Sequence, residues 1–303
     1  MIYTTSDDNA CLQLLLSDYS PSFSFVRINT QVWKFKYTNV YGQMTAKAFG
    51  NASGTFGTGG FPNKYIALHH LSINIGKKLN LGLFESIIFG KEENNNYELK
   101  YLNPVIFYRA LEQQNGSADN ALVGMDLKWL LLPKLSLYGQ LILDEFKIDD
   151  LRKGNGWWGN KYGIQGGLHY VDAFGVSNLD IQGEVNVVRP YTYSHGTMYN
   201  NYTNYQQPLA HPNGANFKEV VGIIRYQPIP RLNIVAKGIY NIYGADSTNT
   251  VNWGGNIFKD YRTKVQEYDN KIGQGTKNTL LFLDLTITYQ LRHNLFIDVS
   301  QVV

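Results

Sequence analysis

Six histidines, His69, His70, His169, His195, His211 and His293, are the first residues in this sequence that could do chemistry. None falls into an HExxH or comparable metal-ligand spacing. His69 and His70 are adjacent in an expected strand and so point to opposite faces. Asp144 and Glu145 diverge for the same reason. Asp180 and Glu184 share a face but stand about 13 Å apart along a strand, wider than the separations used for glycoside hydrolysis. A hydrolase would need a serine beside a histidine, and the sequence alone brings neither Ser136 nor Ser300 to one. Gly154-Asn-Gly-Trp-Trp-Gly159 spells GxGxxG, but without a strand-to-helix context and with two bulky indoles inside it, so it does not read as a nucleotide loop. The expectation is a protein that is not an enzyme and carries no metal or cofactor.

Two other groups of residues suggest recognition. Trp157 and Trp158 sit in a Gly-rich stretch, Tyr191, Tyr193 and Tyr202 crowd a second, and Trp253 lies in a third. Aromatic faces pack on the apolar faces of sugars while nearby Asn, Gln and His satisfy hydroxyls, which makes these six saccharide-binding candidates. The competing reading is an interfacial girdle with ordinary loop packing. Asp126, Lys128, Asp144, Asp180, Glu184, Glu219, Arg225, Lys237 and Asp284 occupy the polar side of alternating segments and are candidates to line a lumen. Their mixed signs favour a salt-bridged filling that stiffens a barrel over an open channel.

Positioning such residues requires strands. Charged residues make up only 17% of the 303, whereas there are 22 Tyr and 29 Gly, a balance that suits a β-barrel with aromatic girdles and closely packed strands. A net charge of +3 gives no argument for nucleic acid, and the single cysteine, Cys11, excludes an internal disulfide framework. No apolar run is long enough for a transmembrane helix. Met1-Ile-Tyr-Thr-Thr-Ser-Asp-Asp8 lacks the basic start and apolar core of an export signal, so an exported chain missing part of its barrel is expected.

Alternation at period two is the dominant pattern. Leu179, Ile181, Gly183, Val185 and Val187 fall on one face, and Asp180, Gln182, Glu184 and Asn186 on the other. The same alternation marks Ala121 to Leu131, Leu232 to Asn241 and Leu281 to Gln290, with Leu122, Leu130, Val235 and Ile239 as apolar exceptions on the polar side. About twelve strands of bilayer-crossing length are expected. Tight turns fall at Thr38-Asn39, Gly76 to Lys78, Pro133-Lys134, Ala173 to Val176, Pro228 to Pro230 and Arg292. Long connections fall at Gly50 to Lys64, Gly90 to Asn120, Lys147 to Asn160, Arg189 to Asn216 and Gly244 to Lys277. Strict alternation of short and long connections is the pattern of an antiparallel up-and-down outer-membrane barrel. The division expected is an uncertain N-terminal segment, residues 1–29, followed by a barrel portion over residues 30–303. Residues 98–114 break the alternation and read as a short helix interrupted at Asn103-Pro104, either folded into the barrel mouth as a constriction or forming a turn of an external loop.

Four stretches together carry a family resemblance: Tyr101-Leu-Asn-Pro-Val-Ile-Phe-Tyr-Arg109, Leu137-Tyr-Gly-Gln-Leu-Ile-Leu-Asp-Glu-Phe146, Val187-Val-Arg-Pro-Tyr-Thr-Tyr-Ser-His195 and Leu209-Ala-His-Pro-Asn-Gly-Ala-Asn216. The sequence resembles the capsule-assembly Wzi-like outer-membrane proteins, especially the Bacteroidetes branch that includes RemB-like gliding-motility proteins, from about Trp33 onward. The resemblance implies a barrel of more strands than these, surrounded by outer-membrane lipid, with surface polysaccharide as its partner. Motility or secretion proteins are the alternative partners, and a diffusion channel is a third reading. It assigns no individual residue a role.

Overall fold

Side chains of a strand alternate between two environments, and here the two differ sharply, which holds each strand in a single register. The computed structural model describes residues 13–46, 62–90, 97–104 and 119–303. Its main sheet has twelve strands: β1 (Ser24–Val32), β2 (Phe35–Thr45), β3 (Asn63–Ile75), β4 (Leu79–Phe89), β5 (Asn120–Leu132), β6 (Leu135–Glu145), β7 (Lys161–Tyr170), β8 (Leu179–Val188), β11 (Phe217–Ile229), β12 (Leu232–Ala245), β13 (Thr276–Arg292) and β14 (Leu295–Val302). The short pair β9 (Thr203–Asn204) and β10 (Gln207–Pro208) forms a separate ribbon within the β8–β11 connection. Every strand of the main sheet runs antiparallel to the next in chain order. No helix among the described residues is long and apolar enough to cross a membrane.

The register carries the alternation from strand to strand. Asp180 lies opposite Arg225, Asn186 opposite Glu219, and Lys237 opposite Asp284. On the other face Val185 meets Val220 and Leu285 meets Ala236. That second face displays Leu83, Met125, Leu168, Val185, Val220, Leu281 and Leu283 as exposed apolar side chains, with Trp129 and Tyr289 toward the tight-turn end. An apolar belt with aromatics near its rim suits lipid contact.

The first face is polar toward the tight turns and apolar toward the long loops. Val40, Met44, Ile66, Leu68, Phe84, Ile88, Leu122, Ile142, Val188 and Phe217 form one buried cluster there with Leu14, Leu15, Leu16, Tyr193, Tyr202, Leu209 and Ile257 from the connections. The exception at Leu122 is thereby explained, because at its level the inner face meets packed chain. Full burial of one such side chain contributes about 1.5–3 kcal/mol. Residues 14–16 are pinned in place: the Leu14 N–H donates to Gln140 Oε1 (2.7 Å), the Tyr193 hydroxyl donates to the Leu14 carbonyl (2.6 Å), and the Ser17 N–H donates to the Leu209 carbonyl (2.9 Å). Loops and the stretch before β1 thus fill the inner side of the sheet at its loop end.

One local expectation needs correction. Thr38-Asn39 is not a turn but lies within β2, and the chain reverses at Trp33-Lys34. The polar pair is tolerated in a strand because both side chains are sheltered, and the Thr38 hydroxyl donates to Asn29 Oδ1 (2.9 Å). The first strand of the sheet begins at Ser24.

In the segment after β4, the described residues 97–104 do not enter the barrel mouth. A 3-10 turn, Leu99–Leu102, lies instead on the outward face. There Tyr97 and Tyr101 pack on Tyr65, Ala67, Ile87, Phe89 and Ala121. The Tyr41 hydroxyl donates to the Leu102 carbonyl (3.3 Å), and the Tyr37 hydroxyl reaches the Pro104 carbonyl. The outward residues Asn39, His69 and Glu85 are buried as well, His69 against the rings of Tyr37 and Tyr41, while Leu99 and Leu102 stay exposed. Polar groups that would be costly against acyl chains are covered by the chain itself. The rest of the expected helix, from residue 105, lies outside the described residues.

Candidate functional site

All nine charged candidates share the inner face by register: Asp126 and Lys128 on β5, Asp144 on β6, Asp180 and Glu184 on β8, Glu219 and Arg225 on β11, Lys237 on β12 and Asp284 on β13. They are braced more by neutral groups than by opposite charges. Glu184 accepts from the Tyr138 hydroxyl (2.7 Å), Asn186 Nδ2 (2.9 Å) and Gln165 Nε2 (3.3 Å). Glu219 meets His211 Nε2 (2.8 Å) and accepts from Asn213 Nδ2 (3.3 Å). Arg225 donates to Gln182 Oε1 (3.2 Å), and Gln182 in turn donates to the Tyr138 hydroxyl (3.1 Å). Asp126 sits 2.7 Å from His70 Nε2. Gly82 makes that pair possible, since a Cβ there would lie 2.5 Å from the imidazole. A network of amides and phenols satisfies buried carboxylates without the entropy of long paired side chains.

The register does bring Ser136 opposite His169, with Asp180 3.9 Å from the imidazole. The serine hydroxyl, however, points to the His169 backbone carbonyl (3.5 Å) rather than to its ring. A nucleophile needs the ring nitrogen as base, so this trio is not set for hydrolysis. Among the described residues no group of three or more His, Cys, Asp or Glu is placed to hold a metal.

The six aromatic candidates separate into two kinds. Tyr191, Tyr193 and Tyr202 are fully buried, each 0% exposed. Their hydroxyls are committed to the Asn252 carbonyl (2.9 Å), the Leu14 carbonyl and Ser86 Oγ (3.3 Å), and the rings of Tyr193 and Tyr202 stack at 5.5 Å. Burial pushes the Tyr191 hydroxyl up to about 12. These three are posts that hold the inserted loops together, and they present no face to a sugar. Trp157 and Trp253 are half-buried, and Trp158 shows only its edge.

The tryptophan pair is assembled by the loop before β7, which begins with helix α1 (Ile148–Lys153), and by the loop before β13. Both indole N–H groups donate to Glu267 Oε1, at 3.1 Å from Trp157 and 2.8 Å from Trp158. Lys147 lies 4.3 Å from the Trp157 ring, Lys264 4.5 Å from the Trp158 ring, and Tyr261 packs on Trp158 at 5.0 Å. Burial, which would raise the Glu267 carboxyl, is outweighed by the hydrogen bonds from Lys264 and the two indoles, and the group is held below its usual 4.5. A carboxylate with a depressed folded value stabilises the loops above the unfolded value, and that contribution fades as pH falls through the folded one. Indole fluorescence is therefore expected to stay constant down to about pH 4.5 and to shift below it. Glu267→Gln should remove that acid transition, and an identical transition in the variant would assign it elsewhere.

Beside this rack lies a cleft that the sequence did not single out. Two adjoining hollows, about 410 and 510 Å³, share Asn249 and Lys259. The first is lined by Asn213, Asp246, Ser247, Thr248 and Asn256 among others. The second is lined by His195, Thr197, Met198, Thr250, Phe258 and Asp260 among others. Lys259 is spent on the Asp246 carboxylate (2.6 Å) and the Thr248 carbonyl (3.3 Å). Arg262 is spent on Asp260 (2.6 Å) and the Gly196 carbonyl (2.6 Å). The only hint in the sequence was Asp246-Ser-Thr-Asn-Thr250, a run of small polar side chains directly after β12 that reads as ordinary loop.

The profile of the family described as capsule assembly protein Wzi matches residues 14–302. Sequence comparison with the curated proteins finds none that matches. Among solved structures, the fold is similar to that of Wzi from Escherichia coli, described as an outer-membrane protein involved in group 1 capsule assembly and a carbohydrate-binding β-barrel. The TM-score is 0.59 at 14% identity, and the match covers 96% of this chain and 59% of that one. The chain therefore spans a little under three fifths of that relative's length, and the likeness is one of fold.

Proposed function

The chain belongs to the Wzi capsule-assembly family of outer-membrane β-barrels, and on that premise we propose that it is a non-enzymatic receptor that holds surface polysaccharide at its loop end. The observation that carries this reading is the loop cleft around Asn249 and Lys259, with amide and hydroxyl side chains along its walls and the half-buried Trp157 in the neighbouring loop rack. Sugars are recognised by such combinations, because hydroxyls need paired donors and acceptors while their C–H faces pack on rings. Outer-membrane strands place the long loops toward the cell surface, where polysaccharide is found. The filled inner face argues for attachment over diffusion, since residues 14–16 and the β8–β11 connection occupy the space that a solute would use.

Deleting the gene and partitioning polysaccharide between cells and medium tests the role directly. Polysaccharide shed into the medium at unchanged total yield is the expected result. Normal retention by the deleted strain would remove attachment as the function. Substituting Trp157 and Asn249 by Ala in the full chain is expected to weaken binding of released polysaccharide by about tenfold, the effect of losing one or two good contacts, while the barrel stays folded.

A further inference from the structure

We propose that the hollow between residues 195–198 and 249–263 is a subsite for an uncharged sugar residue, with the His195 imidazole as its specificity-determining hydrogen-bonding group. This rests on the saccharide reading above and names the class of sugar. Three observations support it.

The one cation that lines the hollow, Lys259, is already occupied. Lys259 is closed on Asp246 and a backbone carbonyl, and the Asp260 carboxylate of the wall is held from outside by Arg262. The lysine behind the wall, Lys161, is fully buried between Asp144, Glu145 and the Tyr261 ring. A uronate or phosphate in the hollow would have to break the Lys259–Asp246 pair to gain a counter-charge there, and it would face the freed Asp246 and the Asp260 carboxylate of the wall. An uncharged sugar meets no such conflict.

His195 lines this hollow and is nine-tenths buried: its Nδ1 is sealed from solvent with no hydrogen-bond partner among the described residues, which leaves Nε2 as the nitrogen open to a ligand. The ring is fixed edge-on against Tyr261 at 5.3 Å. Burial and the nearby Lys161 charge, partly opposed by Glu145 and Asp260, lower the imidazole to about 4. At neutral pH it is therefore uncharged, and its Nε2 can donate or accept according to the tautomer, which is the chemistry of a sugar hydroxyl.

The remaining wall offers hydroxyls and amides from Thr197, Asn249 and Thr250, with Phe258 and Met198 as apolar surface for a C–H face. The hollow's volume of about 510 Å³ is ample for a hexose unit of a chain.

The test measures binding of neutral oligosaccharides (malto-, manno- and cello-series) and acidic ones (oligogalacturonate, oligoguluronate) to the full chain in detergent, at low and high salt. The expected result is binding of at least one neutral series with affinity nearly independent of salt. His195→Phe should weaken that binding about tenfold, and His195→Gln, which keeps a donor and an acceptor, should lose much less. Heat-modifiable migration on gels checks that each variant is folded, and should His195→Phe not fold, Thr197→Val replaces it with the same expectation. Acidic oligosaccharides bound in preference and released by salt would overturn the uncharged-sugar assignment while leaving the saccharide reading standing. Unchanged neutral binding in a folded His195→Phe would overturn the role of His195. Binding of neither class would remove the saccharide reading and the subsite with it.

Discussion

Lys64→Met is expected to destabilise the folded chain by about 3 kcal/mol and to open residues 198–204 to protease. Lys64 lies on the inner face of β3 and is fully buried. Its ammonium donates to the Asn201 carbonyl (2.9 Å), Asn201 Oδ1 (2.8 Å) and Thr203 Oγ1 (3.0 Å). One side chain thereby ties the β8–β11 connection to the wall. Methionine keeps the volume but leaves these oxygens buried without their donor, at about 1–3 kcal/mol for each group that finds no substitute. The gain from no longer desolvating a charge offsets part of this. Thr203 Oγ1 and Asn201 Oδ1 also bond each other (2.6 Å), which softens the loss. The Thr203 N–H also donates to the Asn201 carbonyl (2.9 Å), so the net stays positive through the simultaneous loss of the three bonds from the ammonium, not through an oxygen left bare. Denaturant unfolding of the detergent-solubilised or liposome-inserted protein measures the first effect, and limited proteolysis the second. A variant with wild-type midpoint and wild-type protection would show that the connection is held without this latch.

The second large effect is a contrast across one strand. Leu283 sits near the middle of β13, paired with Gly238, on the outward face and 45% exposed. Leu283→Arg is expected to cost about 2–4 kcal/mol, the usual penalty of a guanidinium at bilayer midplane. Thr286→Arg, on the inner face with Ser300 and Val235 as register partners, is expected to cost less than about 1 kcal/mol, since its charge meets a polar surface near Asp284. Unfolding from lipid vesicles reads both. Equal costs at the two positions would mean that the alternation does not separate lipid from interior here.

That contrast rests on information that the sequence already holds. Leu281, Leu283 and Leu285 against Asp284, Thr286 and Thr288 is a local pattern of period two, and pleating alone converts it into two faces. The same holds for Asp180, Gln182 and Glu184, so the inner placement of the charged candidates was legible before any contact was known. Length was equally local, because strands of bilayer-crossing size alternate with short and long connections. The misplaced turn at Thr38-Asn39 shows the limit of such reading: a polar pair inside a strand looks like a turn when the groups that shelter it, Asn29 and the flap over β2 to β4, come from elsewhere in the chain.

By itself, then, the amino-acid order determined an antiparallel wall of amphipathic strands, its apolar belt, its polar inner face and the family to which the pattern belongs. The tertiary structure decided what the long connections do. Tyr193 and Tyr202 have the composition of an open sugar platform, yet they are buried because residues 14–16, with Leu14 lying 179 positions before Tyr193, fold against them. The flap of Tyr97 and Tyr101 lies outside the sheet because the outward faces of β3 and β4 offer it Tyr65 and Phe89. The cleft exists only where the loops after β8 and β12 meet. Strand faces follow from neighbours two residues apart, whereas the exposure of a loop side chain depends on distant segments packing over it, and no local periodicity encodes that.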